Sequence, residues 1–136
     1  MEQTTVAAPS ETVAEFIAAI NKHDLAALAK LMTDDHEFVD SLGTSVSGRT
    51  LVAGTWKALF RMVSDYWIKV DETLAQGDTV LLIGTLGGTY AGAGTPAAGA
   101  RWQTPAAVRA VIRDGRVARW QVYADHEPVR QVMAQG

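Results

Sequence analysis

The chain contains no cysteine, which excludes disulfides, thiolate zinc sites and cysteine nucleophiles. It has no apolar run approaching the roughly 20 residues a membrane-spanning helix needs. The opening stretch, Met1 to Ser10, is polar and lacks the apolar core of a secretory signal, so a cytoplasmic protein is expected. Basic residues are scattered, and a net charge of −3 leaves no electrostatic footprint for nucleic acid or a membrane surface. Gly84, Gly87, Gly88, Gly92 and Gly94 match no phosphate-binding loop; glycines within a strand permit bulges and sharp curvature instead. The chain shows no repeat, linker or low-complexity segment.

What is present is ordinary globular composition. With 136 residues, 48% hydrophobic and 20% charged, the chain is expected to form one domain over residues 1–136, with 1–9 disordered. Thr12 and Glu15 match a capping box, and Val13, Phe16, Ile17 and Ile20 recur at helical spacing. Asn21-Lys22-His23 breaks that pattern, and Asp24 can cap a second helix with Leu25, Leu28, Leu31 and Met32 as its stripe. Thr33-Asp34-Asp35 then leads into a short strand. Gly43 to Gly48 reads as a loop, and Thr50 to Val63 as a third helix lined by Val52, Trp56, Leu59, Phe60 and Val63. Four strands follow: 66–75, 79–90, 101–113 and 116–125, the last two joined by the hairpin dipeptide Asp114-Gly115. Pro128 to Met133 suits a short terminal helix. The order predicts an α+β domain with helices on one face of a curved antiparallel sheet, leaving a concave mouth for a small apolar ligand.

The stretch His36-Glu37-Phe38-Val39-Asp40 carries an acid where an apolar residue is expected. Alternation places His36, Phe38 and Asp40 on one strand face. If that face is the inner one, Asp40 is a carboxylate held among apolar groups, a setting for a general acid or base. If it is the outer one, Asp40 is an ordinary surface acid. On the last strand, Trp120, Val122 and Ala124 share one face, while Arg119, Gln121, Tyr123 and Asp125 share the other. Asp35, His36, Asp125, His126 and Glu127 are of metal-ligand type, but their spacing matches no known framework, so no metal and no cofactor is expected.

Helix–helix–strand–helix–four strands resembles the nuclear transport factor 2-like superfamily, which includes ketosteroid isomerases, scytalone dehydratase, limonene epoxide hydrolase and the SnoaL-like polyketide cyclases. The resemblance runs from about Glu11 to Val132 and is strongest at Ala18-Ala19-Ile20-Asn21-Lys22-His23-Asp24-Leu25, at Thr33 to Asp40, and at Arg113-Asp114-Gly115-Arg116-Val117. Gly94-Thr95-Pro96 running into Arg101-Trp102 is most similar to SnoaL-like members. The resemblance implies a cone-shaped α+β barrel wrapped by three N-terminal helices, and a homodimer formed through the outer sheet face. It puts Asp40 on the position of the isomerase general base. Phe16 stands where the isomerases carry a tyrosine donor, and residues 108–111 contain no counterpart of their second donor, an aspartic acid. Val122 and Val108 stand where SnoaL-type cyclases carry an aspartate and a histidine. Arg109-Ala110-Val111 lacks the acid of the epoxide hydrolases' Arg-x-Asp pair.

Two functions fit these residues. One is cofactor-independent proton transfer (isomerase, lyase or cyclase) on a small hydrophobic carbonyl compound, with Asp40 as base and His36 or Tyr66 assisting. Phe16, Phe38, Trp56, Trp102, Thr104, Val108, Trp120 and Val122 would then line the pocket. The other is a non-catalytic small-molecule-binding or dimerisation module. Whether the loop at 91–100 closes over the pocket is left open.

Overall fold

A computed structural model describes residues 8–91 and 100–135. Helix α1 (Pro9–Lys22) leads into α2 (Leu25–Lys30), β1 (Met32–Val39), β2 (Ser45–Ser47) and α3 (Arg49–Met62). Strands β3 (Trp67–Gln76), β4 (Thr79–Thr89), β5 (Arg101–Arg113) and β6 (Arg116–Ala124) form a meander, and α4 (Glu127–Gln135) follows. The α+β class is as expected, and so is β5 to the residue. The Thr95–Pro96 motif, any lid at 92–99 and the fraying of residues 1–7 lie outside the described residues.

The sheet has six strands in the order β2-β1-β6-β5-β4-β3. It is mixed rather than antiparallel, because β1 pairs in parallel with β6 while every other pair is antiparallel. Alternation along β1 reports only its burial, and its partner lies some eighty residues away, so local pattern carries no information on pairing direction. Strand β2, three residues inside the expected Gly43–Gly48 loop, is too short to show a period.

Two local features differ from expectation for identifiable reasons, the cap of α1 and the end of α2. Helix α1 begins at Pro9, whose fixed φ and missing N–H suit the first helical turn. The Glu11 carboxylate accepts the Ala8 N–H at 2.8 Å, so the cap lies one turn before the expected Thr12–Glu15 box, and Thr12 is buried. Asp24 caps α2 as expected, its Oδ1 accepting the Ala27 N–H at 3.1 Å. That helix ends at Lys30, so Met32 is buried as the first residue of β1 rather than on a helical stripe.

The conspicuous Asn21-Lys22-His23 run is a latch between α1 and the sheet. Asn21 accepts the Ile68 N–H and donates to the Ile68 carbonyl, each at 2.9 Å. His23 closes the helix in the left-handed region (φ 55°), lays its ring on Phe60 at 4.1 Å and donates from Nε2 to the Tyr66 carbonyl at 2.8 Å. These bonds fix the chain entering β3 and hold Tyr66 in place.

Sheet curvature has a visible cause. A Cβ on Gly84 would stand 1.9 Å from the Lys69 carbonyl oxygen, beside the register shift between Val70 and Glu72. Only glycine lets β4 pass that close to the bulged strand. At the other hairpin, Asp114 and Gly115 both take positive φ, 55° and 73°, as a two-residue type I′ turn requires. The core lies between α1, α3 and the inner sheet face, around Phe16, Trp56 and Trp120.

Candidate active site

Above that core the helices and the sheet separate, leaving a cavity of about 460 Å³. This is within the usual size of small-ligand sites, roughly 300–1,000 Å³. Its sheet wall is Trp102 and Thr104 from β5 with Val122 and Ala124 from β6, inward-facing positions on paired strands. Helix α3 contributes Thr55, Leu59 and Met62, and α4 crosses the mouth with Val129 and Met133. Phe38, Tyr66 and Tyr90 complete an aromatic lining with Trp102.

Of the residues singled out from sequence, Asp40, Tyr66, Phe38, Trp102, Thr104 and Val122 come together on this cavity. Phe16, Trp56, Val108 and Trp120 do not line it; they are buried beneath it as its floor. Phe16 lies 4.7 Å from Trp120 and 6.4 Å from Trp56, ring to ring, and this packing consumes the faces that a ligand would need.

His36 also belongs to the floor, a correction to its expected place beside Asp40. Its ring is fully buried and faces Phe16 at 6.1 Å. Nδ1 donates to the Val117 carbonyl at 2.6 Å, which ties β1 to β6, and Nε2 has no partner among the described residues. Burial lowers the His36 pKa, and the Val117 bond with the neighbouring Asp35 and Glu37 carboxylates only partly offsets it. The neutral ring is therefore the folded form. The unfolded chain takes up the proton first as pH falls below about 6.5. Stability contributed by His36 should be complete above that pH and decline below it, by at most about 1.4 kcal/mol per pH unit, until the folded pKa is passed. Urea unfolding between pH 7.5 and 5 should show this slope, and His36→Gln should flatten it.

Asp40 sits at the rim, half-buried, one residue beyond the end of β1. Its Oδ1 accepts the N–H groups of Leu42 and Thr44, both at 2.9 Å, which locks the carboxylate in one orientation. Both bonds go to the same oxygen, leaving Oδ2 uncommitted among the described residues. Tyr66 is 8% exposed. Burial raises its pKa, so it stays a neutral phenol, with no hydrogen bond to its hydroxyl among the described residues. The indole N–H of Trp102 likewise has no acceptor there. The site thus offers a fixed carboxylate and an unpartnered phenol donor on one apolar cavity.

Asp125, His126, Tyr90, Thr55 and Ser41 also line the cavity and were not singled out as site residues. Asp125 is a second correction, because alternation put it on the strand face opposite Val122 and Ala124, which line the cavity. Strand β6 ends at Ala124, and Asp125 turns to accept the Glu127 N–H at 3.0 Å, opening α4. An Asp three residues before Pro128 is a helix-start signal that could have located this turn. The residues of metal-ligand type do not converge: Asp35 pairs with Arg113, and Glu127 with Arg130 at 2.6 Å. Among the described residues no group of three possible ligands assembles.

A layer of helices over a curved mixed sheet, with an acid at the rim of an apolar cavity between them, defines a pocket-bearing α+β protein of the nuclear transport factor 2-like, ketosteroid isomerase-like fold. The chain belongs to the SnoaL-like domain family, whose model matches residues 13–120. A hypothetical protein of ketosteroid isomerase-like fold from Catenulispora acidiphila, solved with trimethylamine, is 25% identical with a TM-score of 0.75, covering 88% of each chain. A protein described as a candidate SnoaL-like polyketide cyclase, from a Jannaschia species, is 18% identical at TM-score 0.82 and covers 100% of this chain and 99% of its own. An LEH-like epoxide hydrolase of M. tuberculosis is 19% identical at TM-score 0.76, over 94% of this chain and 90% of its own. No curated protein matches. No helix among the described residues is long and apolar enough to cross a membrane.

Proposed function

We propose that the protein moves a proton at the carbon beside a carbonyl group of a small hydrophobic molecule. Asp40 Oδ2 takes the proton from that carbon. The C–H electron pair shifts to the carbonyl oxygen, and the Tyr66 hydroxyl donates a hydrogen bond to the resulting enolate. Return of the proton at another carbon gives an isomerase. Loss of a leaving group gives a lyase, and attack on a second carbonyl a cyclase. The step as drawn uses side chains alone, in a cytoplasmic setting. One observation carries the reading: an oriented carboxylate and a phenol open onto the same apolar cavity, the second carboxylate oxygen and the phenol hydroxyl without partners among the described residues. His36 has no part in it.

The test is deuterium exchange. Incubated in D₂O with 4-phenylbutan-2-one, the protein should accelerate loss of the ketone's α-proton NMR signals in proportion to its concentration. The non-catalytic alternative is favoured by one observation, that Asp40 already serves as the cap of its own turn. It predicts binding of the ketone with no accelerated exchange.

We further propose a homodimer through the outer sheet face. Leu74, Ile83 and Tyr123 are 52%, 38% and 50% exposed there. Leu74 pairs across to Leu81, and Ile83 through Ala107 to Tyr123, so these side chains form one apolar stripe. Sedimentation velocity should find the wild type at dimer mass and Ile83→Asp at monomer mass. A monomeric wild type at micromolar concentration would remove this proposal.

A further inference from the structure

Among the described residues the cavity described above is lined by two carboxylates and one imidazole, that of His126. Asp40 and Asp125 line it, and among the described residues no lysine or arginine does. The stretch 92–99, between two of its strands, is Gly-Ala-Gly-Thr-Pro-Ala-Ala-Gly and holds no ionisable side chain, so it supplies no cation either. Both carboxylates are held by backbone N–H groups at Oδ1, Asp40 from Leu42 and Thr44, Asp125 from Glu127. Each keeps its second oxygen uncommitted among the described residues. Between them the lining is aromatic, from Phe38, Tyr66, Tyr90 and Trp102. Aromatic faces attract cations through their quadrupole and more strongly when water is excluded. Tyr66, more than nine-tenths buried and without a partner for its hydroxyl among the described residues, adds an oxygen that can accept from an N–H donor. A carboxylate or phosphate ligand would meet two carboxylates here, with the His126 imidazole but no lysine or arginine among the described residues to offset them.

We propose that the ligand of this cavity carries a protonated amine on an apolar body, with the ammonium held at Asp125 beside the aromatic lining. Asp125 is then a specificity-determining residue. The proposal rests on the cavity being the ligand site, as in the preceding reading, and leaves Asp40 Oδ2 to face the neighbouring carbon. Its chemistry differs from that of a site for a neutral ketone only in the charge the rim selects.

Calorimetric titration of the full-length protein at pH 7 with 4-phenylbutylamine, 4-phenylbutanol and 4-phenylbutyrate tests it. The amine should bind about tenfold or more tighter than the alcohol, and the carboxylate weakest. Asp125→Asn keeps the cap's acceptor oxygen and should reduce the amine's advantage over the alcohol severalfold. Equal affinities for amine and alcohol overturn the charge selection while leaving the cavity a ligand site. The same holds for an amine advantage that survives Asp125→Asn unchanged. Failure of all three to bind overturns both readings together.

Discussion

Trp56→Ala is expected to destabilise the protein by about 3–5 kcal/mol, the range for deleting a large buried aromatic. Trp56 is buried at the centre of the aromatic set, with ring centroids of Phe38 and Phe60 both at 5.6 Å and Tyr66 at 6.1 Å. Phe38 and Tyr66 are cavity walls, so this residue is the support on which the site rests. Its indole N–H has no acceptor among the described residues, which makes the loss one of packing rather than hydrogen bonding. Trp56→Phe should accordingly cost much less, about 1–2 kcal/mol, because it keeps most of the ring and removes an unsatisfied donor. Urea titration of both variants measures this. Equal destabilisation by Phe and Ala would mean that the N–H, not the ring volume, matters.

Asp40→Asn is expected to lower α-proton exchange by about 10² to 10⁴-fold, the range for losing a positioned general base. The substitution is informative because asparagine keeps an Oδ1 acceptor for the Leu42 and Thr44 N–H groups. The turn should survive and unfolding free energy should stay within about 0.5 kcal/mol of wild type. Asp40→Ala loses the acceptor as well, so it should combine the same loss of exchange with about 1–2 kcal/mol of destabilisation. An Asn variant that exchanges at the wild-type rate would leave Asp40 as a turn cap and nothing more.

How far each feature was legible follows from the range of the interactions that make it. Strand β5 is readable to the residue because strict alternation runs from Arg101 into a dipeptide, Asp114-Gly115, that accepts positive φ. Asp24 is readable as a cap because its partner is three residues away. The parallel pairing of β1 with β6 is not, since it depends on contacts such as His36 with Val117, distant in the chain. The same distance explains the divided fate of the site residues. Period-two alternation groups Trp120, Val122 and Ala124 on one face, but it cannot say how far along a strand the cavity ends and the packed core begins. That limit is set by α1, whose Phe16 covers Trp120 and His36. Asp125 and His126 were missed because alternation stops where β6 does, and their direction is set by the start of α4.

The outer-face stripe and the cavity also divide the labour of the apolar residues. Leu74 and Ile83 leave much of their side chains exposed on the outer face, whereas Phe38 and Trp102 line the space a ligand would fill. Exposed apolar side chains arranged across paired strands point to association, and concave ones to binding.

The most direct test of the account is a crystal structure of the protein with 4-phenylbutan-2-one bound. The account predicts the ketone in the cavity between α3 and the sheet, its carbonyl oxygen within hydrogen-bonding reach of the Tyr66 hydroxyl and an α-carbon facing Asp40 Oδ2. A ketone bound outside that cavity, or inside it with its α-carbons turned away from Asp40, would contradict it.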